Sequence, residues 1–203
     1  MKRPARASLL EREGWRGGWR TGARRCESPN FGPRPEGVAI DLVVLHSISL
    51  PPGEYGGDAV ERLFTNRLDW AAHPYYEQIR GLAVSAHFLI RRDGELLQFV
   101  SCDARAWHAG ASVWRGRSDC NDFSIGIELE GLEGELFDTP QYVAVAALID
   151  ALAARYRIDA VVGHEHVAPG RKKDPGPGFD WVRLRSMVTR ADRYFPEAVF
   201  APR

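Results

Sequence analysis

AIDLVVLHSISLPPGEYGG, residues 39–57, is the stretch on which the reading of the fold turns. Ala39 to Leu45 is almost continuously apolar, the pattern of a central strand covered on both faces. The run ends at His46 and is followed by a Pro51-Pro52-Gly53 loop. In α/β proteins, a buried strand that ends in a polar side chain at the rim of the sheet is where ligands are placed. Taken alone, His46 reads more readily as a satisfied strand-end histidine than as a ligand.

Further elements follow on both sides of this strand. Val84 to Ile90 and Glu95 to Val100 read as two strands joined by a turn at Arg91-Arg92-Asp93-Gly94. Phe123 to Leu129 is another strand. Thr139-Pro140 opens a long helix through about Tyr156, since proline fits the first turn and Val143, Ala146, Ala147 and Ile149–Leu152 supply an apolar stripe. Ala160 to Gly163 is a short strand running into His164, and Asp180 caps a last helix from Trp181. The sum is an α/β fold, a central mixed sheet flanked by helices.

Upstream of Gly37 the chain is rich in Arg, Gly and Pro. Arg12, Arg16, Arg20 and Arg24 recur every four residues, as do Trp15 and Trp19, which on a helix would place each set on one face. Gly17 and Gly18 weaken such a helix. We read residues 1–12 as a flexible basic arm and 13–203 as a single domain, with the tryptophans packing onto it. The 27 basic and 27 acidic residues cancel, so no global field draws the chain to nucleic acid or an anionic membrane. No apolar stretch is long enough to span a bilayer. The basic start never enters a signal-peptide apolar segment, which makes the cytoplasm the default address. Cys26, Cys102 and Cys120 have no CxxC spacing and read as free thiols.

The unusual polar residues lie in three segments: the one around His46, SIGIELEG from Ser124, and GHEHVAPGRKKDPGPGFDW from Gly163. His164 stands at a strand end. Ten residues later comes Asp174, in a segment that its prolines and glycines make a stiff loop rather than a helix. Two histidines and one carboxylate suit a catalytic zinc with one open position. Spacing leaves an alternative open, because His164 and His166 on a strand would face one side and could chelate together. Glu128, among Ile125, Ile127 and Leu129, would have a raised pKa unless paired, the condition for a general base. Glu130 fits an edge-strand surface charge better. Lys172 could stabilise a developing oxyanion, whereas Arg171 and Lys173 read as solvated.

VVLHSISLPPGEYGG, VSAHFLIRRDGELLQFV, RAWHAG, CNDFSIGIELEG and GHEHVAPGRKKDPGPGFDW, together with SPNFGPRP from Ser28, closely resemble a family of zinc N-acetylmuramoyl-L-alanine amidases. That family also holds phage T7-type lysozyme and the peptidoglycan recognition proteins, and the resemblance is to its cytoplasmic branch acting on 1,6-anhydro-muropeptides. The resemblance implies one Zn2+ held by His46, His164 and Asp174, with His166 outside the set. It also implies Glu128 and Lys172 as the catalytic pair and a metal groove at one end of the sheet. The implied reaction is hydrolysis of the bond between the lactyl group of anhydro-N-acetylmuramic acid and L-alanine, in cell-wall recycling. Ser47, Ala83 and His166 depart from the family pattern and bear on sugar and peptide contacts. Trp107 and His108 are weaker candidates for lining the groove, since an aromatic beside a polar group suits sugar binding. His73 and His87 read as structural.

The expected partner is the anhydro-muropeptide, with no nucleic acid, no membrane and a monomeric chain. A non-catalytic peptidoglycan-binding module is the rival from another class, separated by stoichiometric zinc and hydrolysis. An autolysin acting on intact wall would be expected to carry a secretion signal. A zinc nuclease or generic peptidase is disfavoured by the neutral charge and the absence of HExxH.

Overall fold

A computed structural model of the chain describes residues 14–200; the expected arm over residues 1–12 lies outside the described residues. The main sheet has six strands: β1 (Arg24–Arg25), β2 (Leu42–Ile48), β3 (Phe88–Ile90), β4 (Leu96–Gln98), β5 (Ser124–Glu130) and β6 (Ala160–Gly163). Their order across the sheet is β6-β2-β5-β3-β4-β1. β6, β2, β5 and β3 run parallel, β4 turns back antiparallel to β3, and β1 lies parallel to β4. The sheet is therefore mixed, as expected. β2 and β5 are each paired on both sides, which is why their sequences are the most continuously apolar.

Helices cover the two faces. α1 (Ala59–Phe64) and α2 (Pro74–Gln78) sit on one side, α3 (Thr139–Arg155) and α5 (Trp181–Met187) on the other, and α4 (His164–Val167) is a single turn. Alternation along β3 sorts the core. Phe88 and Ile90 join the cluster under α3 and α5, while Leu89 joins Val60, Leu63 and Phe64 of α1. Asp180 accepts the Arg183 amide at 2.8 Å, the expected cap of α5. Gln141 in the first turn of α3 accepts the Asp138 amide at 3.0 Å and donates to the Glu130 carbonyl at 2.9 Å, tying α3 to the end of β5. The Gly94 amide closes the expected β3–β4 turn onto the Arg91 carbonyl at 2.9 Å.

Several expectations are corrected. β2 begins at Leu42 and continues to Ile48, so His46 lies inside the strand and not at its end. The β3 run is shorter than Val84 to Ile90. Trp15–Arg16 and Trp19–Arg20 pair antiparallel as a hairpin. Gly17 and Gly18, with φ of 52° and 77°, supply the positive dihedrals of its two-residue turn. Turn chemistry thus overrides the four-residue spacing of the arginines. Trp15 is nonetheless buried against Phe88, as a domain-packing tryptophan should be. The three cysteines are free. Among the described residues no helix is long and apolar enough to cross a membrane.

Candidate metal centre and its cavity

The parallel strands β2 and β5 place His46 directly beside Glu128 in the register, so both side chains leave the same face of the sheet. β6 delivers His164 as the first residue of α4. The following loop folds back until the Asp174 carbonyl accepts the Glu165 amide at 3.0 Å. Gly163 permits that return, because a Cβ there would lie 2.7 Å from Pro175 Cδ. The segment after Gly163 is thus one helical turn followed by a loop, where a loop throughout was expected. On that turn His164 and His166 point apart. The His166 Nδ1 accepts the Gly163 amide at 2.9 Å and its ring packs on Trp181.

His46, His164 and Asp174 are all buried, and each offers one ligand atom to a common point. His46 Nδ1, His164 Nδ1 and Asp174 Oδ2 lie 3.0 Å from one another. A tetrahedral ion with bonds of about 2.0–2.1 Å has ligand atoms roughly 3.3–3.4 Å apart, close to this spacing. The hydrogen bonding shows what the point lacks. His164 Nε2 lies 3.0 Å from the Ala109 carbonyl, which can only accept, so Nε2 carries a proton; in the singly protonated ring a ligand requires, that leaves Nδ1 a lone pair. With His46 in the same tautomer, its Nε2 donates to His108 Nδ1 at 3.0 Å. Three acceptors then converge with no donor between them, and a cation is the group that fits. Burial pushes the His46 pKa down to about 4, with His164 adding and Asp174 opposing, which keeps the ring neutral as a ligand must be.

A cavity of about 630 Å³ opens over this point, lined on the polar side by His46, His164, Asp174, Glu128 and Lys172. Leu50, Tyr75, Ile79, Leu82 and Val84 form an apolar wall of the same cavity. Glu128 is buried, and its carboxylate has no hydrogen-bond partner among the described residues. Burial raises its pKa well above the usual carboxylate range, Asp174 adds to this, and Lys172 works against it. Lys172 is exposed at the rim.

Other expectations fare differently. Glu130 is not a surface charge on an edge strand, since β5 is central. It is buried, pairs with Arg91 at 2.9 Å and accepts the Gly56 and Arg92 amides at 2.8 and 3.1 Å. Trp107 is half-buried and lines the cavity. His108 lines it too, yet both ring nitrogens are engaged inside the chain, Nδ1 with His46 and Nε2 with Ser124 Oγ at 3.2 Å. Arg171 is not simply solvated: its Nη2 donates to the Ala109 and Ala111 carbonyls at 2.6 and 2.7 Å. His73 caps α2, and His87 is bonded between the Gly126 amide and the Ala104 carbonyl, both structural as expected. The contacts of Arg171 with Ala109 and of His108 with His46 each span 62 residues, a separation at which spacing carries no signal.

The sequence model of the family described as N-acetylmuramoyl-L-alanine amidase matches residues 36–177. The 1,6-anhydro-N-acetylmuramyl-L-alanine amidase AmpD of Citrobacter freundii is 53% identical over 174 residues, covering 85% of this chain and 93% of its own. A crystal structure of a selenomethionine AmpD derivative superimposes with a TM-score of 0.84 at 52% identity, over 86% of this chain and 98% of that one. The Escherichia coli N-acetylmuramyl-L-alanine amidase AmiD, in complex with the substrate anhydro-N-acetylmuramic acid-L-Ala-D-γ-Glu-L-Lys, gives a TM-score of 0.55 at 29% identity. That match covers 76% of this chain and 60% of AmiD.

Proposed function

The chain belongs to the N-acetylmuramoyl-L-alanine amidase family, and we propose that it hydrolyses the lactyl–L-alanine amide of 1,6-anhydro-muropeptides in cytoplasmic cell-wall recycling. The observation that carries this reading is the convergence of two imidazole nitrogens and one carboxylate oxygen at 3.0 Å spacing beneath a cavity that also holds a partnerless buried glutamate. Likeness to AmpD over most of both chains supplies the substrate class.

His46, His164 and Asp174 would hold one zinc ion. When bound, zinc supplies Lewis acidity, lowering the pKa of a water and polarising a carbonyl. Glu128 accepts a proton from the attacking water. Its raised proton affinity suits it to take that proton, which it then hands to the more basic leaving alanine nitrogen, so that the C–N bond breaks to a free amine. The Lys172 ammonium at the cavity rim stabilises the negative charge that develops on the carbonyl oxygen. The half-buried Trp107 offers a flat wall for the sugar. Residues 13–203 form one amidase domain acting as a monomer.

The test is incubation with purified anhydro-muramyl tripeptide and, separately, with intact sacculi, each with and without a chelator. The reading predicts chelator-sensitive release of peptide from the soluble fragment and little from sacculi. Rapid solubilisation of sacculi would make the chain an autolysin, and zinc binding without release from either would make it a recognition module.

A further inference from the structure

Two adjacent residues, His108 and Ala109, reach both histidines of the candidate metal centre from behind. His108 Nδ1 lies 3.0 Å from His46 Nε2, and the Ala109 carbonyl lies 3.0 Å from His164 Nε2. Each contact falls on the ring nitrogen facing away from the point where the three ligand atoms converge. A histidine can offer Nδ1 to a metal only when its proton sits on Nε2, and a partner that accepts there fixes both tautomer and ring orientation. We propose that His108–Ala109 is a positioning clamp that sets the ligating tautomer of both histidines, with His108 acting on His46. The inference rests on the metal-dependent reading above.

The rest of the chain is arranged to hold this dipeptide in place. The buried Asn121 accepts the His108 and Ala109 amides on one oxygen, at 3.1 and 2.8 Å. Arg171 donates to the same Ala109 carbonyl that His164 uses, and to Ala111 beyond it. The far nitrogen of His108 lies 3.2 Å from the Ser124 hydroxyl, and donating its proton to that oxygen leaves Nδ1 an acceptor. Room for the ring comes from the sheet itself. A Cβ at Gly126, mid-strand in β5, would overlap the His108 ring. That is the packing reason for a glycine in a buried strand, where its lack of a side chain otherwise costs stability.

The experiment separates an acceptor from a filler. Zinc affinity is measured by competition with a chromogenic chelator for the wild-type chain, His108→Asn and His108→Leu. Asparagine keeps an oxygen where Nδ1 stood, while leucine keeps the volume and removes the acceptor. The clamp predicts a roughly 10–100-fold loss of affinity for His108→Leu and recovery of most of it in His108→Asn. Affinity retained in His108→Leu, or an equal loss in both variants, overturns it. Should either variant fail to fold, nitrogen-15 NMR of the zinc-stripped wild type still decides: the His46 proton is expected on Nε2, and a proton on Nδ1 overturns the proposal. Failure of the wild type to bind zinc at all would instead defeat the amidase reading itself.

Discussion

Glu128 and Glu130 stand two residues apart on one central strand, both buried, and their surroundings are opposite. Glu130 is saturated by the Arg91 guanidinium and two backbone amides. Arg91 in turn meets Glu61 at 2.6 Å, and Glu61 meets Arg24 at 2.8 Å, so this end of the sheet is a closed ion-pair network. Glu128 has no such partner and looks into the cavity over the His46–His164–Asp174 point. A buried carboxylate costs stability unless it is paired. The strand therefore carries one carboxylate that the fold has paired and one left without a partner beside the cavity.

The largest expected effect breaks the contrast at its functional end. Glu128→Gln should cost about 10²–10⁴ in turnover, while the melting temperature holds or rises, because the variant removes an unpaired buried acid. Steady-state rates and a thermal melt on the same sample check both halves. Lys172→Ala should lower turnover by about 10²–10³ through loss of oxyanion stabilisation. Its exposed position predicts no change in melting, and an unchanged rate would remove the role. Substitution at the other end of the strand should invert the pattern. Glu130→Gln leaves Arg91 short of its most buried partner and should cost about 3 kcal/mol of stability in urea denaturation, with turnover of the folded fraction near wild type.

The smallest effect is a pH dependence. Hydrogen bonds from Arg24 hold the Glu61 pKa down to about 2, against burial, with Arg91 adding to the shift. Folding therefore favours the ionised carboxylate. Its contribution is complete above the unfolded value of about 4.3 and is lost as pH falls through about 2. The half-exposed Arg24 screens the pair, so the loss is on the order of 1 kcal/mol. Stability curves from pH 5 to 2 should show this slope in the wild type and its absence in Glu61→Gln.

Much of this was legible in the residues, for local reasons. The apolar runs of β2, β5 and β6, the Asp-Gly turn and the proline-started α3 are decided by near neighbours, and apart from the shift of β2 to Leu42–Ile48 they appear where sequence patterning puts them. Choosing Asp174 over His166 needed the family resemblance. In the structure a helical turn sends His164 and His166 apart, and Gly163 lets the loop come back to bring Asp174 beside His46 and His164. What stayed hidden depends on distant partners. Nothing near Glu130 in sequence announces Arg91, 39 residues away, and nothing near His108 announces His46, 62 residues away. At the N-terminal arginines the two glycines that weaken a helix form the turn of a hairpin, so local turn chemistry outweighs the four-residue spacing.

The most direct test of the metal-centred account is a rate titration. Protein stripped by chelation is returned to activity with measured additions of zinc, and release of peptide from anhydro-muramyl tripeptide is followed at each step. The account predicts no release from the stripped chain and a linear recovery that stops at one equivalent. Full activity without metal, or recovery that continues to a second equivalent, would contradict it.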